Sequence, residues 1–159
     1  MSLRQIDKIN NYAIICKLTK RLIHMNTKTI IGNYERVSFP VFGIDNIVSK
    51  IDTGAYSGAF HCTKIFEHDQ DGKKTVVFSP FDHPEVVIET DQFSKRRVKS
   101  SNGDVEMRYF IATKIVIGQQ QYDITLSLSD RSSMKYPLLI GRKFLKQYNF
   151  LVDATLNNS

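Results

Sequence analysis

Two periods of apolar residues run along this chain, and the change between them falls near Met25. Before it, Leu3, Ile6, Ile9, Ala13, Leu18 and Leu22 recur at roughly helical spacing, with Lys, Arg and Asp between them. This predicts an amphipathic helical extension over residues 1–24, added to a domain over residues 25–159. After Met25 the period drops towards two. Residues 35–39 read as a short strand stopped by Pro40, which has no N–H to give a ladder. Residues 46–51 read as another, running directly into Asp52. Residues 75–78 and 85–90 follow, divided by Ser-Pro and His-Pro turns. Residues 97–100 and 105–112 flank Ser101-Asn102-Gly103-Asp104, and Asn-Gly is a strong hairpin signal. Residues 114–117 and 122–129 are joined by a Gly-Gln-Gln-Gln turn. In the latter strand Tyr122, Ile124, Leu126 and Leu128 share one face, and Asp123, Thr125, Ser127 and Ser129 the other. Residues 137–141 read as a buried strand, 142–148 as a short helix and 150–152 as a last strand. Many short strands and one late helix predict a mostly β, mainly antiparallel closed barrel.

Composition narrows the class without changing the fold. At 159 residues the chain can bury the core of a single domain. Its formal net charge is +6, from 22 Lys+Arg against 16 Asp+Glu. The excess is spread along the chain, which argues against a specific nucleic-acid partner. Cys16 and Cys62 could form at most one bridge, and two lone thiols fit a reducing, cytoplasmic compartment. No apolar run reaches the ~18 residues of a membrane span. Residues 12–18 are the most apolar N-terminal piece. Lys17 interrupts them and no small-x-small site follows, which argues against a secretory signal.

Most chemical motifs are missing. There is no GxxxxGK[ST], no GxGxxG and no HExxH. Residues 67–72 look superficially like a calcium loop, but a Glu stands first and Phe78 occupies the closing position, so a polar turn is expected. His24, His61, His68 and His83 show no tight ligand spacing on one element. Lys95-Arg96-Arg97 with Lys99 reads as a solvated strand face, with a grip on an acidic ligand as the functional alternative.

The segment KIDTGAYSGA remains. Asp and Gly are common turn formers, so the Asp-Thr-Gly tripeptide alone could be only a turn. Its context favours chemistry. An apolar strand leads in, and Thr53, Gly54, Ala55, Ser57, Gly58 and Ala59 add little bulk, so another backbone can approach. Downstream come the Asn-Gly hairpin and then Leu138-Leu139-Ile140-Gly141-Arg142.

That order resembles a retropepsin monomer. The segments IIGNYERVSFPVFGI, KIDTGAYSGAFHC, RRVKSSNGDVEMRYFI, LSLSDRSSMKYPLLIGRKFL and FLVDA resemble the family named ATP-dependent zinc proteases, which are retropepsin-like aspartic peptidases. The resemblance covers most of residues 30–154. It implies an acid-protease barrel with Asp52 as catalytic aspartate. Thr53 and Gly54 would shape its loop, and Ala55 would line the cleft. Ser100, Ser101, Asn102, Gly103 and Asp104 would form a substrate-binding flap, with Leu139, Ile140 and Gly141 packed behind the loop. No cofactor or metal ligand is expected, because the chain lacks an ATP loop and a zinc signature. One departure is Tyr56, where the family usually carries a basic residue.

Aspartic-peptidase chemistry uses two carboxylates sharing one proton. Asp130 and Asp153 lack the Asp52 context, so the second would be Asp52 of a partner. The expectation is a homodimer acting as an endopeptidase on a peptide or protein substrate in extended conformation. Two rival readings are a non-catalytic peptide- or protein-binding module of the same fold, and a zinc-dependent hydrolase using His61, Cys62, His68 or His83.

Overall fold

The structure, a computed structural model, describes residues 28–81, 83–99 and 105–159. The helical extension expected over residues 1–24 and the residues expected to form a flap, Ser100, Ser101, Asn102, Gly103 and Asp104, lie outside the described residues. The elements are β1 (Thr29–Ile31), β2 (Tyr34–Phe39), a 3-10 turn (Pro40–Phe42), β3 (Ile44–Asp52), β4 (Gly58–Gln70), β5 (Lys73–Pro80) and β6 (Ile88–Thr90). They continue with β7 (Phe93–Lys99), β8 (Val105–Ile117), β9 (Gln120–Ser129), β10 (Leu138–Gly141), helix α1 (Arg142–Gln147) and β11 (Phe150–Val152). No helix among the described residues is long and apolar enough to cross a membrane.

The fold is mostly β with one short α-helix, and β3, β2, β8, β9, β4 and β10 are hydrogen-bonded in a ring. Most neighbours are antiparallel, but β10 runs parallel to β3 and β4 runs parallel to β9. β5 and β6 extend the sheet beyond β4, and β7 pairs β8. β1 and β11 form a separate parallel ribbon. Glu35, 7% exposed, joins the β1–β2 turn to the C-terminal segment: its Oε1 accepts from Gly32 N at 2.6 Å and Asn158 Nδ2 at 2.7 Å.

Several elements differ from the sequence expectation; β1 was not expected, and β7 begins at Phe93 rather than at residue 97. Residues 105–117 are one strand, because buried Thr113 continues the inward row of Ile111, Ile115 and Ile117. Only Ile88–Thr90 of the strand expected over residues 85–90 forms. Val87 is 61% exposed, and Val86 N donates to His83 O in a turn. β4 was not foreseen as a strand, and residues 67–70, expected as a polar turn, continue it to the turn at Asp71 and Gly72.

The ring closes over a phenylalanine core. Phe39, Phe60 and Phe78 are fully buried. Phe60 meets Phe39 edge-on at 5.1 Å and Phe78 at 6.2 Å, arrangements that add to area burial. A second aromatic group, Tyr122, Phe144, Tyr148 and Phe150, fastens α1 and β11 to β9. β10 is squeezed between β3 and β4, and its last residue has no room for a side chain. A Cβ on Gly141 would lie 2.6 Å from the Ser57 carbonyl and 2.9 Å from Tyr56 O.

Two stability outcomes follow. Phe60→Ala leaves a hole at the centre of the core and is expected to cost roughly 3–5 kcal/mol in denaturant unfolding. Gly141→Ala forces backbone against backbone, and an overpacking cost of roughly 1–3 kcal/mol is expected. In Gly141→Ala, amide chemical shifts should move at residues 54–58 and stay fixed in β5 and β6. Unchanged shifts at residues 54–58 would show that the close approach does not hold the loop.

Candidate active site

β3 ends on Asp52, and the parallel register sets Gly141 directly beside it. The chain then folds back on the carboxylate. Asp52 Oδ1 accepts from Gly54 N at 2.9 Å and from Ala55 N at 3.1 Å. An Asp side chain that captures amides two and three residues ahead makes a tight turn of its own loop. The loop therefore rests on the carboxylate rather than on Thr53, whose hydroxyl makes no hydrogen bond among the described residues. Asp52 Oδ2 lies 3.8 Å from Lys50 Nζ, and the side chain is 26% exposed.

α1 grips the same loop from behind. Arg142 N donates to Ala55 O at 2.9 Å and Lys143 N to Tyr56 O at 3.0 Å. Arg142 Nη1 reaches Gly54 O at 3.1 Å, and its guanidinium lies 5.8 Å from the Tyr56 ring centroid. Leu139 pairs with Lys50 and Ala59, and buried Ile140 pairs with Ile51. Thus Asp52, Gly54 and Ala55 share one neighbourhood with Leu139, Ile140 and Gly141. The loop contacts of Arg142 and Lys143 were missed in the sequence. The Gly-Arg step just before the predicted helix was the available signal.

A cavity of about 320 Å³ opens beside the loop. Tyr56 and Ser57 line it on one side, Arg96, Arg97, Val98 and Phe110 of the β7–β8 hairpin on another, and Lys143 also borders it. Arg96 lies 4.9 Å from the Phe110 ring centroid. None of Arg96, Arg97 and Lys143 has a carboxylate partner among the described residues. Arg131 adds a half-buried cation whose Nε finds no hydrogen-bond partner among the described residues. Burial, then the charge of Arg108, push the Arg131 guanidinium below its ordinary pKa, and the Asp52 charge opposes this.

The donors named for zinc do not converge. Among the described residues no three His, Cys, Asp or Glu side chains gather as a metal group. His61 is buried, and its Nδ1 accepts from Arg131 N at 2.8 Å. His68 lies against Glu89 and His83 against Glu85. Cys62 is a buried free thiol whose pKa burial pushes up.

Similarity to known proteins agrees with this geometry at the level of family. The family described as "RimB-like: Retropepsin-like aspartic endopeptidase RimB" matches residues 30–159. A probable alpha-L-glutamate ligase of Shewanella halifaxensis is 34% identical over 135 residues, 82% of this chain and 29% of the ligase. A protein of the same name from Desulfotalea psychrophila is 33% identical over 136 residues, again 29% of its length. The chain therefore spans less than a third of these relatives. A crystal structure of a Legionella pneumophila protein of unknown function shares the fold, with TM-score 0.64 and 24% identity over 84% of this chain and 98% of that one. With the match running through the Asp52 loop, the β7–β8 hairpin and β10 alike, the chain belongs to the RimB-like family of retropepsin-like aspartic endopeptidases.

Proposed function

We propose that this chain is an aspartic endopeptidase that works as a homodimer, with Asp52 of each copy supplying half of one catalytic pair. The observation that carries the reading is the posture of Asp52. Its carboxylate is fixed at a strand end through Oδ1, while Oδ2 makes no hydrogen bond among the described residues and lies 3.8 Å from Lys50 Nζ, in a side chain that is 26% exposed. Two such groups a few Å apart cannot both ionise cheaply, so they hold one proton between them. The ionised member takes a proton from water, which attacks the peptide carbonyl. The protonated member hydrogen-bonds the carbonyl oxygen, and a proton is delivered to the departing amine. Water is the nucleophile, so no acyl-enzyme forms.

The substrate would lie extended between the Asp52 loop and the β7–β8 hairpin. β7 has no strand on its outer edge among the described residues, so a peptide could add to it through main-chain hydrogen bonds. Glutamate-bearing peptides are the first class to test. The similar relatives are named glutamate ligases, and Arg96, Arg97 and Lys143 line the cavity without carboxylate partners.

The test uses a peptide carrying successive glutamates, with a glutamine version as control. The wild-type chain should cleave the first faster, and Asp52→Asn should lower the rate by roughly 10²–10⁴-fold with unchanged circular dichroism. Sedimentation should give a dimer. Cleavage by a strict monomer would sink the two-copy site. Tight peptide binding with no turnover from acid to neutral pH would instead make this a binding module.

A further inference from the structure

The β7–β8 hairpin is fastened to the sheet at one end only. β8 pairs with β9 from Phe110 onward and with β2 at Val116 and Ile117. Its first five residues, Val105 to Tyr109, pair only with β7. A two-stranded ribbon is marginal alone, so its backbone ladder does not fix its angle to the body. Side chains must do so.

The side-chain hydrogen bonds that join this ribbon to the body among the described residues converge on one atom. Glu67 Oε1, on β4, accepts from Lys95 Nζ at 2.9 Å and from Tyr109 OH at 2.9 Å. Lys95 and Tyr109 face each other in the β7–β8 register, and Lys95 Nζ also lies 4.7 Å from the Tyr109 ring centroid. One carboxylate therefore holds both strands of the ribbon as a unit. The next three residues along β7, Arg96, Arg97 and Val98, wall the cavity beside Tyr56.

We propose that Glu67 is a positioning residue for peptide binding: by holding the Lys95–Tyr109 pair it sets the angle of the ribbon, and so the distance of its cationic wall from the Asp52 loop. The inference rests on reading that loop as half of a peptidase site. The charges facing Glu67 are Lys95 on the ribbon and Lys74 on β5. Hydrogen bonds from Lys95 and then Tyr109 hold the Glu67 carboxyl below its ordinary pKa. Tyr109, then Glu67, push the Lys95 ammonium up to about 12. A depressed carboxyl pKa means that the clamp is complete at neutral pH and is lost as the pH falls through the depressed value.

Glu67→Gln and Tyr109→Phe test this with two readouts. In Glu67→Gln, hydrogen exchange over residues 93–99 and 105–109 should quicken about tenfold, with β9, β10 and the denaturant midpoint unchanged. With the glutamate peptide, KM should rise about three- to tenfold while kcat stays within about twofold, the split expected when binding alone is lost. Tyr109→Phe should show a smaller change of the same kind, and it decides the matter if Glu67→Gln does not fold. Wild-type exchange rates in both variants, or a loosened ribbon with unchanged KM, would overturn the clamp. If the wild-type chain cleaves nothing, the peptidase reading fails separately. Fluorescence anisotropy with the same labelled peptide then decides: weaker binding by Glu67→Gln supports the clamp, and equal binding overturns it.

Discussion

Everything around Asp52 depends on one close approach of backbone to backbone. β10 runs between β3 and β4, and at Gly141 it lies so near residues 56–57 that no Cβ fits. That contact lets the first amides of α1 reach the carbonyls of Ala55 and Tyr56. The loop is then held by main-chain groups from behind and by the carboxylate of Asp52 in front. Gly58 obeys the same rule, since a Cβ there would lie 2.8 Å from Leu139 O. Small residues are required at this crossing because three chains meet where a sheet normally allows side chains between them. In the proposed peptidase, these contacts would hold the Asp52 carboxylate in place, where misplacement by about 1 Å can cost two orders of magnitude in rate.

β4 links this crossing to the rest of the molecule. Its first residues pair with β9 and β10, where Ser127 Oγ donates to Gly58 O. Its middle buries His61 against the turn after β9 and Phe60 in the aromatic core. Its far half leaves the ring with β5 and carries Glu67 to the β7–β8 ribbon. One strand thus borders the loop, the core and the hairpin.

This explains what could be read in the sequence and what could not. The Asp52 loop was legible because an apolar strand runs into it and a run of small residues leaves it. β9 was legible because one face is buried and the other is not, and Ile124, Leu126 and Leu128 do point inward. Even there Ser127, on the opposite face, is buried as well and donates to Gly58 O. β4 was hidden because its pattern changes twice. Residues 58–62 are all buried, which erases alternation, and residues 66–70 are all exposed, which looks like a loop. A register shift between Thr63 and Phe66, with Lys64 at φ 51°, breaks the period between them. The strand expected over residues 85–90 failed for the opposite reason. Val86, Val87 and Ile88 look like a buried run, but only Ile88 reaches the core. The partners of Arg142, Lys143 and Glu67 are up to 88 residues away in sequence, and a local pattern carries no record of them.

The cations divide into those engaged by carboxylates and those left open. Four cations of the sheet and the ribbon sit beside carboxylates: Lys73 with Asp91, Lys95 with Glu67, Lys114 with Asp123 and Arg108 with Glu106. At the loop, Lys50 lies 3.8 Å from Asp52. Around the loop Arg96, Arg97, Arg131, Arg142 and Lys143 have no such partner among the described residues. Folding alone does not call for this, because like charges brought together repel and gain nothing for the core. Arg96, Arg97, Arg142 and Lys143 are exposed, which makes the repulsion tolerable, whereas Arg131 is half-buried. An anionic ligand entering there would find cations not already engaged by carboxylates, so its binding would exchange few internal contacts for new ones. The neighbouring Lys95 is engaged instead, and its carboxylate partner comes from β4. A cation used to hold the ribbon needs an internal partner, whereas a cation that meets a ligand is better without one.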